Sequence, residues 1–292
     1  LLSTYIDALP DYVSPDGRIH SSFNQTGTAT GRLSSNRPNL QNIPARTDES
    51  RMIRSAFVPG HGKAFVSADY SQVELRVLAH FCGDEGLKKA FNEGRDIHSV
   101  VASEVFEVPL DEVDSEKRTT AKAVNFGLVY GQGAWGLSNF LDIPRKKAKE
   151  FIDRYFERFP CVREFKEAQV EEARDKGYVT TLGGRRRFIS QLSSSNPRDR
   201  AQGERLVINT LVQGSAADLI KVAMVKLSRR IEEQGLPMEL LLQIHDELLY
   251  EVPHDEQERT AKVVEEEMES AMELDVPLEV TVGTGLDWLE LK

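Results

Sequence analysis

The sequence predicts an α+β fold: an antiparallel sheet built from the two ends of the chain, with a mainly helical segment inserted between them. Three observations predict it. Short β-prone apolar runs stand at 64–69 (AFVSAD), 239–252 (ELLLQIHDELLYEV) and 276–282. From about 84 to 180, and again over 200–233, apolar residues recur mainly at helical spacing. The run 239–252 pivots on His245-Asp246, the length of a tight turn between antiparallel strands.

Taken in order, residues 17–57 are rich in Ser, Thr, Asn and Gly, contain Pro38 and Pro44, and read as loops with short strands. AFVSAD follows His61-Gly62 and reads as a strand. YSQVELRVLAHF (70–81) has helical spacing, with Val73, Leu75, Val77, Leu78 and Phe81 apolar. An amphipathic helix spans Arg145 to Phe159, punctuated by Pro144 and Pro160. A further helix is expected over 163–176, ending at Gly177, then a hairpin over 178–188 around Gly183-Gly184. Helix over 200–233 stops before Gly235-Leu236-Pro237, and a helix over 255–273 and a strand over 276–282 close the chain.

The 292 residues suffice for one large or two smaller domains. A hydrophobic fraction of 40% is ordinary for a globular chain, and no run of 18 apolar residues predicts a membrane-spanning helix, so no membrane partner is expected. The opening LLSTYIDALP has neither Met nor a basic segment ahead of an apolar run, and reads as a trimmed start rather than a signal peptide. Two cysteines, Cys82 and Cys161, without metal-ligand spacing suit a reducing, cytoplasmic setting. Neither a repeat nor a low-complexity tract is found. The net charge of −10 speaks at first against a nucleic-acid partner, but residues 251–292 hold 13 acids and 3 bases, leaving 1–250 balanced. The acidity reads as a solvated helix face, and local patches decide binding.

Asp69 ends a β-prone run, and Asp246 and Glu247 sit at the turn of another. Carboxylates beside buried strands are costly unless neutralised, and a divalent ion would do so; read alone, they are equally ordinary turn residues. In KRTTAKAVNFGLVYG (117–131), Arg118, Lys122, Phe126 and Tyr130 recur every four residues along one helix face. Cations near a helix N-terminus oppose the macrodipole unless an anion binds there, and the aromatics beyond them suit a base. Spacing alone equally allows an amphipathic surface helix. His98, beside Asp96, is a further phosphate candidate or a structural hydrogen-bonder. Arg145, Lys146, Lys147 and Lys149, and Arg185-Arg186-Arg187, suit either nucleic-acid backbone or solvent.

In series, these segments resemble the DNA polymerase I family, family A. DYSQVELRVLAH (69–80) resembles its motif A, RTTAKAVNFGLVYG (118–131) motif B and QIHDELLYE (243–251) motif C. TGRLSSNRPNLQNIPAR (30–46) is similar to its primer-template segment, and ERLVINTLVQGSAADLIK (204–221) to its template-side helix. The resemblance spans essentially the whole chain. It implies a palm from 1–80 and 201–292 and helical fingers from 81–200, with thumb and nuclease domains upstream of Leu1.

The resemblance also implies roles. Asp69 and Asp246, with the Tyr70 carbonyl, would bind two magnesium ions, or manganese in their place, and Glu247 would support them. Lys122 would protonate the leaving pyrophosphate. His98, Arg118, Lys122, Phe126, Tyr130 and Gln72 would bind the deoxynucleoside triphosphate, with Glu74 as the steric gate against a ribose 2′-OH. Arg32, Asn39, Gln41, Asn42, Arg205, Asn209, Gln213 and His245 would contact primer-template DNA, largely through sequence-independent minor-groove acceptors. A monomer is expected. Thr119 departs from the second Arg of many relatives, and Phe126 from the Tyr of some, which implies discrimination against dideoxynucleotides. Two alternatives stay open: a single-subunit RNA polymerase, or a DNA-binding fragment inactive without its thumb.

Overall fold

A computed structural model describes residues 2–44 and 51–291. Ala45 and Arg46, the end of the primer-template segment, lie outside the described residues. In chain order the elements are β1 (Ser22–Asn24), β2 (Ser34–Asn36), β3 (Lys63–Tyr70), α1 (Val73–Cys82), α2 (Glu85–Asn92) and α3 (Ile97–Phe106). Next come α4 (Ser115–Val129), α5 (Ala134–Leu141), α6 (Arg145–Arg158), α7 (Pro160–Lys176), β4 (Tyr178–Thr180) and β5 (Arg186–Phe188). Then follow α8 (Pro197–Asn209), α9 (Ser215–Gln234), β6 (Glu239–Ile244), β7 (Glu247–Pro253), α10 (Gln257–Glu269) and β8 (Val280–Gly285). The α+β expectation holds, and the chain forms two compact units. One comprises Leu1–Ser71, Ala217–Met272 and Leu278–Lys292; the other comprises Gln72–Ala216 and Glu273–Pro277. The changeovers at 71/72 and 216/217 stand beside the expected divisions at 80/81 and 200/201.

The first unit is organised on an antiparallel sheet in the order β6–β7–β3–β8. Central β3 is apolar on both faces because both are covered. Ala64, Val66 and Ala68 are fully buried, and α10 packs against β3 and β8. Phe65 joins Leu249, Ile244, Leu40 and the fully buried Trp288 in a separate core cluster. At the Lys63 end of the sheet the buried carboxylate of Glu251 on β7 accepts from Arg18 Nη2 (2.9 Å), Lys63 Nζ (2.6 Å) and the Gly60 amide (2.7 Å). These bonds tie the N-terminal segment to the sheet. They outweigh the upward push of burial and hold the Glu251 pKa below the usual carboxylate value.

The second unit is helical. Its core draws Leu75 and Leu78 from α1, Val101 from α3, Val124 from α4, Tyr155 from α6 and Phe165 from α7. Asp84 and Asp96 cap α2 and α3 by accepting from the amides of the following turn. The short segment Glu273–Pro277 straps this unit: Val276 enters its core, Arg76 Nη1 donates to the Pro277 carbonyl (2.6 Å), and the Asp275 amide donates to His80 Nδ1 (3.2 Å).

Several boundaries differ from the sequence expectation. The last strand begins at Val280, not 276: Val276 serves the helical core, and Pro277 has no N–H for a ladder. The helix expected over 255–273 is Gln257–Glu269, preceded by a 3₁₀ turn and ended where Ser270 Oγ donates back to the Glu266 carbonyl. Tyr70 ends β3, and the helix expected from residue 70 starts at Val73, after Gln72 in the left-handed conformation (φ +56°). Pro160 stops α6 but also begins α7, because a proline fits the first helical turn. The helix expected over 200–233 starts at Pro197 and is interrupted by a π turn at Thr210–Gly214. By length and composition the stretch Pro197–Gln234 is the one candidate membrane span among the described residues, and 72% of its most apolar window is buried inside the fold, as in core helices.

Candidate active site

In the first unit, strand register assembles the acids. Asp69, the penultimate residue of β3, lies directly across from Glu247 at the start of β7. The β6–β7 hairpin closes at the Ile244–Glu247 pair, which leaves His245 and Asp246 as its turn. The Tyr70 amide donates to the Asp246 carbonyl (3.2 Å), fastening that turn to the end of β3. The Tyr70 hydroxyl is anchored inward on the Met268 carbonyl (2.6 Å), and burial raises its pKa, so the ring is a fixed post beside the strand end. Glu247 is buried, while Asp69 and Asp246 are half-exposed.

Like charges directly opposed across a ladder repel, and a divalent cation offsets that cost. Among the described residues no group of three or more His, Cys, Asp or Glu is placed to hold a metal ion. Asp69 and Asp246 fit instead the sparse oxygen donor set of magnesium, which keeps most positions for water and phosphate.

In the second unit, α4 turns Ala121, Val124, Asn125 and Leu128 into the core and leaves Arg118 and Lys122 exposed. Phe126 and the C-cap residue Tyr130 are half-exposed and stacked, with ring centroids 6.1 Å apart. The expected face therefore exists. Arg118 grips Asp96 through two hydrogen bonds, Nε to Oδ2 (2.7 Å) and Nη2 to Oδ1 (3.2 Å). Burial pushes the Asp96 pKa up, but the bonds from Arg118 and Ser99 outweigh it and hold the carboxyl at about 2. Gln72 Nε2 reaches the same carboxylate at 3.5 Å. Lys122 makes no ion pair among the described residues.

His98 is buried against Phe126, with ring centroids 5.7 Å apart, and its Nδ1 faces Asn125 Nδ2 at 3.1 Å. Burial, reinforced by Arg118 and Lys122 and opposed by Asp96, lowers its pKa to about 4. The ring is thus neutral near pH 7, and a donor at Nδ1 leaves the proton on Nε2. The Tyr130 hydroxyl donates to Oε2 of buried Glu74 (2.5 Å), which fixes the carboxylate expected to be the gate.

The residues expected to touch DNA fall into two groups. In the first unit, Gln41 Nε2 donates to the Gln243 carbonyl (3.0 Å) and Oε1 (3.2 Å), and Gln243 Nε2 donates to the His245 carbonyl. Asn39 caps the Gln41 amide (3.0 Å), and the Asn42 carbonyl accepts from Tyr5 (2.7 Å). Arg32, Gln243 and exposed His245 line one small cleft. In the second unit, Arg205 is exposed on α8, and Asn209 ends that helix with a buried Oδ1 that has no partner among the described residues. Gln213 lies in the π turn, a wider turn frequent at functional sites.

Sequence reasoning missed Gln243 as the hub joining Gln41 to the hairpin, and Asp96 as the partner of Arg118. Neither left a local signal, because each joins residues that are far apart in the chain.

Comparison with known proteins is consistent along the whole chain. The chain is 52% identical over 288 residues to DNA polymerase I of Mycobacterium tuberculosis, covering 98% of this chain and 32% of that protein. It is 54% identical over 293 residues to the thermostable DNA polymerase I of Thermus filiformis, covering 100% of this chain and 35% of that protein. The chain thus spans about a third of the length of these relatives. Its fold matches the POL domain of Pol1 from M. smegmatis, solved in complex with DNA primer-template and dNTP, at a TM-score of 0.96 and 50% identity, over 99% of this chain and 51% of that one. The sequence model described as DNA polymerase family A matches residues 1–290, and the chain belongs to that family.

Proposed function

We propose that the chain carries out template-directed DNA synthesis, joining a deoxynucleotide to a primer 3′-OH with release of pyrophosphate, as a monomer on primer-template DNA. The observation that carries the reading is the register that sets Asp69 opposite Glu247, with Asp246 in the adjoining turn. Family membership and a structural neighbour bound to primer-template and dNTP support it.

Asp69, Asp246 and the Tyr70 carbonyl would hold two magnesium ions, or manganese, with Glu247 in support. Bound there, the ions supply activation of the attacking hydroxyl and charge neutralisation of the leaving group. Arg118 and Lys122 would take the triphosphate oxygens, and His98 would donate from Nε2. Lys122, the cation on that face that Asp96 does not hold, would deliver the proton to the departing pyrophosphate. Phe126 would pack on the incoming base and sugar, Tyr130 would lie near the templating base, and Gln72 would help to bind the nucleotide. Glu74, held by Tyr130, would occupy the space a 2′-OH needs. Arg32, Asn39, Gln41, Asn42 and His245, together with Arg205, Asn209 and Gln213, would grip the primer-template duplex. In this scheme catalysis is positioning and electrostatics, the usual terms for phosphoryl-type transfer.

The test is primer extension on a labelled hairpin at low salt with magnesium, offering deoxy- and ribonucleotides in separate reactions. Extension with deoxynucleotides alone, abolished by Asp246→Ala while hairpin binding persists, is expected. Extension by Asp246→Ala would remove the two-metal assignment, and ribonucleotide extension would favour an RNA polymerase. Binding without extension by the wild type would mean that residues 1–292 do not suffice for synthesis.

A further inference from the structure

Arg54 is a buried cation that none of the roles above uses. It opens the short 3₁₀ turn Arg54–Ala56, ahead of β3, and is only 8% exposed. Its guanidinium carbon lies 4.7 Å from the centre of the Trp288 ring, and Nη2 donates to the Ile43 carbonyl (3.3 Å). The Trp288 amide donates to the Phe57 carbonyl (3.0 Å), which fastens the ring beneath the turn. Arg54 Nε is buried with no partner among the described residues, and so is the neighbouring Trp288 Nε1. A guanidinium carries five donors and keeps its charge in a protein. Burying one with so few bonds is costly unless an opposite charge stands near.

Strand alternation places that charge. Side chains two residues apart on a strand share a face. Leu249 on β7 faces the core cluster that contains Trp288, so Glu247 lies on the same face. Its ladder partner Ile244 belongs to the cluster as well. On β3, Phe65 faces the cluster, and Asp69, four residues on, shares its side. Glu247 is itself 2% exposed. Burial lowers the Arg54 pKa, Glu247 pulls it back up, and Arg51 adds to the fall. Glu247 is the acid whose attraction reaches Arg54. The opposed pair Asp69 and Glu247 thus has a permanent cation on its covered side, independent of any ion on its open side.

We propose that Arg54 is a positioning residue of the carboxylate site. Its fixed charge, seated on Trp288, holds Glu247 at the start of β7, and through it keeps Asp69 and the Asp246 turn in place. Arg54 touches neither substrate nor the reacting atoms. Its part in synthesis rests on the polymerase reading; its pairing with Glu247 does not.

Two measurements test this. The first is urea unfolding in metal-free buffer of the wild type, Arg54→Met, Glu247→Gln and the double variant. Met keeps an apolar stem on Trp288 and removes the charge. Arg54→Met should lower the urea midpoint, and adding Glu247→Gln should lower it no further, because a neutral amide needs no counter-charge. Additive losses would overturn the pairing. Should Arg54→Met fail to fold, a cooperative transition in the double variant would support the pairing, and failure of both would overturn it.

The second is single-nucleotide insertion on a hairpin primer-template. Arg54→Met should lower kcat about tenfold while the KM for the deoxynucleotide and the Kd for the hairpin stay within about twofold. Arg54→Lys, which keeps the charge, should be several-fold faster than Arg54→Met. A loss confined to KM or Kd, or equal kcat in the Lys and Met variants, would overturn the positioning role. A wild type that does not extend would remove the polymerase reading, and the unfolding cycle would still decide whether Arg54 holds Glu247.

Discussion

His98 carries an imidazole that burial, with help from Arg118 and Lys122, holds at a pKa of about 4 against the pull of Asp96. An unfolded histidine titrates near 6.5. Between those two values the unfolded chain binds a proton that the folded chain refuses, so stability falls as pH drops through that window. Urea unfolding should show the wild type losing about 2 kcal/mol relative to His98→Gln between pH 6.5 and pH 4, after discounting for solvent screening. Parallel stability curves for the two proteins would disprove the depressed pKa. The sequence displayed Arg118, Lys122, Phe126 and Tyr130 because a single helix carries them in register with its own period. The grip of Asp96 on Arg118 was not legible, because it joins residues of different helices and depends on how α3 packs on α4. The Tyr130–Glu74 bond was hidden for the same reason, spanning 56 residues.

The β6–β7 hairpin turns on a residue in an unusual conformation: His245 has φ +57°, the left-handed region that side chains with a Cβ seldom adopt. Such a residue costs of order 1 kcal/mol and persists where function keeps it. His245→Gly should therefore fold at least as stably as the wild type, gaining up to about 1 kcal/mol, while binding primer-template DNA more weakly. Thermal denaturation and anisotropy on the same samples check both halves, and a clear loss of stability would show that the histidine side chain, not the DNA, justifies the turn. The hairpin itself was plain in the sequence, because two strongly apolar runs flank a polar pair. The last strand was misplaced because Val276 and Leu278 alternate as strand residues do while one of them serves another core. The π turn at Thr210–Gly214 left no pattern to read, since a helix of either kind keeps the same apolar composition.

Across the molecule, charge is matched more locally than the net of −10 suggests. The acidic stretch, expected to be a solvated face, is partly gripped: Arg230 on α9 bonds Glu266 (3.0 Å) and Glu267 (2.8 Å) on α10. Glu251 is the more consequential case, since its partners Arg18 and Lys63 come from distant segments of the chain. Glu251→Ala leaves two half-exposed cations that water can solvate, so its cost in denaturant unfolding should be about 1–3 kcal/mol, from the broken charge-assisted hydrogen bonds. The folded carboxylate has a depressed pKa, so its contribution is present above the unfolded value and is lost as pH falls below it. The gap between wild type and variant should narrow as the pH is lowered through the carboxylate range, and a gap independent of pH would count against the ionised network.

The sheet that carries Asp69 is drawn from three separate stretches of chain, and β3 pairs with β7 and β8, roughly two hundred residues further on. During synthesis β3 therefore emerges long before either neighbour exists, whereas Gln72–Ala216 emerges as one unbroken length and can collapse locally. The helical unit is then ready early, lacking only its strap, while the sheet must wait with an unpaired apolar strand. That waiting strand is where a chaperone would be needed and where an arrested chain would aggregate.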